Sequence, residues 1–174
     1  MALMQILTEP NKILRQKSLA VEKVDDDLRI LMDNMLETMY AAPGIGLAAI
    51  QVGVPKRVIV LDIAPKETPR NPMYFVNPEI IKKSETNSTY EEGCLSVPGQ
   101  FAEIDRPDRC YIKYLDYYGQ PKEIKAEGML ATCIQHEIDH LEGILFIDYL
   151  SKLKKTMIVK KLSKQKKELE RIVV

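Results

Sequence analysis

The sequence has no apolar run that approaches the length of a bilayer crossing, which excludes a helical membrane span. Its opening, MALMQILTEPNKILRQKS, lacks the basic-then-apolar pattern of a secretory signal, so no export is expected. There is no internal repeat and no low-complexity linker, so a single domain over residues 1–174 is expected. Cysteine is scarce: Cys94, Cys110 and Cys133 are an odd count without close spacing. That argues against a disulfide framework and for a reducing compartment. Net charge is zero, and neither DNA nor a membrane is an expected partner. Histidine is scarce too, with two in the chain.

What is present suits a globular protein. At 174 residues the chain can bury a core without staples, and 45% hydrophobic with 29% charged residues is ordinary. Asp25 precedes DDLRILMDNMLETMY, where Leu28, Leu31, Met32, Met35 and Met39 recur at helical spacing until Pro43-Gly44. Residues 42–55, APGIGLAAIQVGVP, hold too many glycines and prolines for a long helix. Strands are expected at 57–63, 74–83, 109–117 and 121–128, with a hairpin turn at Tyr118-Gly119-Gln120. They come in neighbouring runs without regular helical alternation, which favours an α+β fold with mostly antiparallel sheet. A helix is expected from about Met129 to Leu141, capped by Gly143, and a second from about 151 to the end. In that last helix Leu150, Leu153, Met157, Leu162 and Leu169 trace a stripe under a lysine-covered face. Its nine Lys/Arg against Glu168 and Glu170 leave +7, so the remainder carries −7.

Both histidines fall in QHEIDHLEG, 135–143. On a helix His136 and His140 lie one turn apart on one side, where two imidazoles can chelate one metal ion. Glu137 follows the first, placed to act as a base beside the metal instead of binding it. This is the metalloprotease-type HExxH pattern; the competing reading is two exposed helix histidines beside acids. A catalytic site usually has three protein ligands and one open position. The HExxHxxGxxH extension is absent, since Leu-Glu-Gly-Ile-Leu-Phe follows His140. A downstream glutamate remains open in principle. Glu142 lies too close along the same helix, however, and Glu168 and Glu170 lie in the lysine-rich tail. Cys94 in EEGCLSVPGQ, at an expected strand end or tight loop, is the other candidate, because a thiolate is a strong ligand for zinc or ferrous iron. Cys110 and Cys133 are expected to be small buried hydrophobes, with Cys133 bordering the site.

Three stretches, GIGLAAIQVG (44–53), EGCLSVPG (92–99) and QHEIDHLEG (135–143), resemble in order and spacing the three motifs of the peptide deformylases. ILTEPNKILRQKS resembles that family's opening segment, and the resemblance runs from about Ile6 to Leu150. It implies antiparallel strands around a central helix that carries HExDH. It also implies one divalent ion on Cys94, His136 and His140, commonly Fe(II), with zinc, nickel or cobalt substituting. The implied reaction removes formate from the N-formylmethionine of nascent bacterial-type polypeptides, in the cytoplasm. Two alternatives are a metallopeptidase that cleaves internal bonds and a binding protein with a structural metal. The latter needs a fourth protein ligand, for which no convincing candidate stands in the chain.

Within that resemblance, Glu137 is general base and then acid, and the Gln51 amide and Leu95 backbone N–H serve the developing oxyanion. Taken alone, Gln51 reads as a polar residue finishing a turn. Gly44 and Gly46 let the loop pass close to the metal. A phosphate loop is the rival reading there, but GxGLAAxQ lacks its Lys-Ser/Thr and follows no strand. The peptide is expected to pair as an added strand with Ile45 on one side and Gly93 on the other. Ile45, Met129, Thr132 and Cys133 are the expected wall of the methionine pocket. Phe101 stands where many relatives carry arginine. An Arg106–Asp139 ion pair is expected to fix the histidine helix against the loop after Cys94. The basic tail reads either as a solvated amphipathic helix or as a contact with ribosomal RNA.

Overall fold

In the computed structural model, which describes residues 2–173, helix α1 spans Asp26–Ala41. The Asp25 carboxylate caps it by accepting the Leu28 N–H at 2.9 Å, and Asp26 and Asp27 sit at the positive end of its dipole. Leu28, Met32, Met35 and Met39 form its buried stripe, as their spacing requires.

Seven strands follow: β1 (Gly46–Ala48), β2 (Val58–Leu61), β3 (Met73–Lys83), β4 (Asn87–Cys94), β5 (Val97–Pro107), β6 (Arg109–Leu115) and β7 (Pro121–Glu127). All pairings between them are antiparallel. One sheet has the order β1-β2-β3-β6-β7, and β4 and β5 form a separate hairpin. The α+β class is therefore observed. The four expected strands match β2, β3, β6 and β7 with small shifts at their ends. β6 stops at Leu115, short of the expected 117, because the Asp116 carboxylate accepts the N–H groups of Tyr118 and Gln120 and turns the chain. β1 and the long β4–β5 hairpin were not foreseen beyond a strand end at Cys94.

Helix α2 spans Gly128–Leu141. The sheet lies between it and α1, so β2 is buried on both faces. Ile59 and Leu61 pack with Ala131, Ile134 and Ile138 of α2, while Val58 and Val60 pack with Met32, Met35 and Met39 of α1. This is why β2 reads VIVL, without polar alternation. Helix α2 is buried almost all round, including Gln135, His136, Glu137 and His140.

After α2 the chain turns through Gly143 at φ +76°, where an added Cβ would collide with the Arg15 carbonyl group. Gly143→Ala combines left-handed backbone with a backbone clash. It is expected to cost about 2–3 kcal/mol, read as a drop in thermal midpoint of about 5–10 °C.

Helix α3, Lys152–Val173, corrects the expected stripe. Among the five positions named, only Leu162 is buried, at 4% exposed, while Leu153, Met157 and Leu169 are 71%, 62% and 64% exposed. The packed face is Ile158, Val159 and Leu162 against Val97, Ile104 and Phe146. At about 100° per residue, Leu153 and Met157 lie roughly 180° and 140° around from Leu162. Lys155 shares the packed side and reaches Asp148 at 2.7 Å, so the lysines do not mark the solvent face cleanly.

Candidate metal centre

Three elements meet at one end of the sheet. Cys94 ends β4, where a register shift after Gly93 turns its side chain inward. His136 and His140 come from one side of α2. Gln51 lies in the tight helical turn Ala49–Val52 that follows β1. The ligating atoms of Cys94, His136 and His140 all lie within 4.8 Å of one another. Cys94 Sγ stands 3.3 Å from His140 Nε2. A tetrahedral ion bound at ~2.3 Å to sulfur and ~2.1 Å to nitrogen would hold those atoms about 3.6 Å apart. The donor set therefore fits a divalent transition metal, and soft sulfur with two imidazoles suits iron or zinc better than magnesium or calcium.

The surroundings also favour a cation. Burial works to lower His136, yet hydrogen bonds with Cys94 and Glu92 hold its proton well above the ordinary histidine range. A positive charge is thus stable where a metal would sit. Burial keeps His140 well below that range, hence neutral with a lone pair to give. Glu137, 4% exposed, places Oε1 3.8 Å from His136 Nε2, and its Oε2 has no partner among the described residues. Burial pushes its carboxyl up to about 7, a value suited to passing protons near neutrality. A bound cation would pull that value down.

Glu92 is the residue the sequence reading missed. Its Oε1 accepts from His136 Nδ1 at 2.9 Å, and since a carboxylate only accepts, that nitrogen carries the proton and Nε2 is left to ligate. Arg106 grips the same carboxylate from Nε at 2.7 Å and Nη2 at 2.9 Å. Its Nη1 donates to Asp139 at 2.8 Å. The expected Arg106–Asp139 pair is present, but Arg106 lies near the end of β5 and not in a loop after Cys94. Tyr149 OH also donates to Asp139, at 2.7 Å.

A cavity of about 740 Å³ opens onto this centre. Gln51, Leu95, Glu137, Cys94 and His136 line it, as do Gly44, Ile45, Gly46, Gly93, Met129, Thr132 and Cys133. His140 lies behind them, fully buried. Burial pushes the Cys133 thiol up to about 12, so it lines the wall as a neutral group. Cys110 is core, as expected. Gln51 is held in one sense: its oxygen accepts the Ala48 N–H at 2.9 Å, leaving the amide nitrogen 3.0 Å from Ser96 Oγ and 3.5 Å from Cys94 Sγ.

The glycines are close-contact positions. A Cβ on Gly44 would lie 2.7 Å from Leu95 Cδ1, and one on Gly46 would lie 2.7 Å from Leu61 Cδ2 and 3.0 Å from Glu137 Oε1. The Ile45 carbonyl accepts the Asp62 N–H at 2.9 Å, so strand alternation turns the backbone groups of Gly46 away from β2. Gly46→Ala is expected to lower kcat about tenfold by displacing Glu137, with metal content retained; kinetics and metal analysis on one sample check this.

Comparison with known proteins gives one answer. A family model described as polypeptide deformylase matches residues 3–156. A peptide deformylase of Pelagibacter ubique is 66% identical over 174 residues, covering 100% of both chains. One of Rhizobium meliloti is 52% identical over 96% of both. The crystal structure of an Ehrlichia chaffeensis peptide deformylase, 44% identical, superimposes with a TM-score of 0.91 over 95% of this chain and 98% of that one. A second structure from that organism, in complex with actinonin, gives 47% identity and 0.89.

Proposed function

The chain belongs to the polypeptide deformylase family, hydrolases that take the formyl group off nascent formylated peptides, and from that premise we propose that Cys94, His136 and His140 hold the divalent ion of the reaction. When bound, such an ion supplies Lewis-acid chemistry, lowering the pKa of water and polarising a carbonyl. The chain's own residues do the rest. Glu137 takes a proton from the attacking water and later delivers it to the departing amine nitrogen. The Gln51 amide and Leu95 N–H donate to the oxyanion that forms as water adds to the formyl carbon. The carbon–nitrogen bond then breaks, and formate and a free amine leave. The peptide lies as an added strand between the Ile45–Gly46 edge and Gly93, with Gly44 giving room, and the methionine side chain rests among Ile45, Met129, Thr132 and Cys133.

The convergence of the three ligands with Glu137 and the Gln51 amide on one cavity carries this reading. The test is formate release from a formyl-Met peptide by iron-loaded protein kept from oxygen. Absence of formate overturns it. Cleavage of internal peptide bonds, the alternative left by HExxH alone, is not favoured by the family match. We take Fe(II) as the native ion in the cell, with zinc, nickel and cobalt able to use the same donors; metal analysis of anaerobically prepared protein decides this. The whole chain serves as one catalytic domain in the cytoplasm. No described helix is long and apolar enough to cross a membrane. The lysine-rich α3 keeps two readings, a solvated helix or a contact with ribosomal RNA; salt-dependent ribosome binding that is unchanged by truncation after Leu150 excludes the second.

A further inference from the structure

The β4–β5 hairpin has two faces, and strand alternation decides what each one carries. Glu92 and Ala102 are directly paired, and Glu92 faces α2. The flanking pairs, Gly93 with Phe101 and Glu91 with Glu103, therefore share the opposite face. The Phe101 ring folds across Gly93: an added Cβ there would lie 2.5 Å from ring atom Cε1. Among the described residues β4 has no strand partner besides β5, so its outer edge at Gly93 is unpaired. Phe101 is 65% exposed, and Ile45 and Met129, both 48% exposed, line the same cavity. Three large apolar side chains thus gather at one mouth, where single exposed ones would need no explanation.

Charge at this mouth has one sign. Among the described residues, no lysine or arginine lines the cavity. The Glu92 carboxylate is taken up by Arg106, but Glu91 is exposed on the cavity wall, directly across from Glu103. Neither has an ion-pair partner among the described residues, and like charges facing across two strands are unfavourable.

We infer that Phe101 and Glu91 are specificity-determining residues that read the substrate beyond its formyl-methionine, accepting apolar side chains against the ring and rejecting acidic ones. The inference rests on the peptide path along Gly93 given above. In an extended substrate, side chains alternate, and those on one face are about 6.8 Å apart. One of the two residues after methionine therefore faces the ring and the carboxylate.

The test is kcat/KM for formyl-Met-X-Ser and formyl-Met-Ser-Y peptides, with X or Y set to Leu, Ser, Lys or Asp. At one position leucine is expected to exceed serine about fivefold, with aspartate the poorest and its deficit shrinking as salt rises. Phe101→Ala should bring the leucine-to-serine ratio near one. Glu91→Gln should raise the aspartate peptide relative to serine and leave the leucine ratio in place. Wild-type enzyme that treats the residues alike at both positions overturns the inference, as do variants that leave these ratios unmoved. If no peptide releases formate, the functional reading itself has failed, a result distinct from equal ratios in an active enzyme.

Discussion

Glu137→Ala is expected to lower kcat/KM for a formyl-Met peptide by about 10²- to 10⁴-fold with metal content at the wild-type level. Glu137 Oε1 lies 3.8 Å from His136 Nε2, beside the ligand cluster but outside the three atoms that would share the ion. A carboxylate so placed can exchange a proton with water and with the leaving nitrogen, and the other acids that touch the histidine helix at this centre, Glu92 and Asp139, are both engaged. Glu92 is taken by Arg106 and His136, and Asp139 by Arg106 and Tyr149. The base must be ionised to accept a proton. kcat/KM should therefore rise with pH through the Glu137 titration, below about 7 once the ion is bound. Glu137→Gln keeps the shape and removes a buried acid whose Oε2 has no partner, so its thermal midpoint should not fall below wild type. Metal analysis, a pH profile and a melt decide the matter. Loss of the metal in Glu137→Ala would make Glu137 a ligand and remove it as the proton carrier.

Local periodicity made part of this centre legible and tertiary pairing hid the rest. His136, Glu137 and His140 are related by one helical turn, which the sequence displays directly. Cys94 is 46 residues from His140, and no spacing rule links them; thiolate chemistry made it a candidate, and family resemblance made it the third ligand. Glu92 was passed over because it sits beside Glu91, and only the register of β4 on β5 decides which of the two is buried. That hairpin was not read as strands, since NSTYEEGC and VPGQFAEIDRP bury few apolar side chains and carry weak alternation. β2, sandwiched between two helices, announced itself as VIVL. In α3 several apolar positions among lysines fit more than one stripe, and the core that chooses between them lies at Val97, Ile104 and Phe146, far off in sequence.

Arg106→Met is expected to destabilise the fold by about 3–5 kcal/mol and to weaken metal binding as well. The Arg106 side chain is 4% exposed, and it spans Glu92 of β4 and Asp139 of α2. It thereby ties the hairpin that carries Cys94 to the helix that carries both histidines. Burial alone would raise the Glu92 carboxyl, but hydrogen bonds from His136 and Arg106 bring it below the ordinary range. Without the guanidinium, Glu92 is left buried with His136 Nδ1 as its one remaining partner among the described side chains, whereas Asp139 keeps Tyr149 and partial access to water. A second change separates stability from function. Arg106→Met with Glu92→Leu removes both charges, so most of the lost stability should return. Activity should not return with it, because His136 Nδ1 then has no acceptor to hold its ring, and metal affinity should stay about 10- to 100-fold down. Denaturant melts of both variants, beside metal titrations of each, test the two halves separately. If the double variant recovers metal affinity together with stability, Glu92 serves only to neutralise Arg106. If it recovers stability alone, the carboxylate works by aiming His136 at the ion, and the ion pair exists to keep that carboxylate charged and in place.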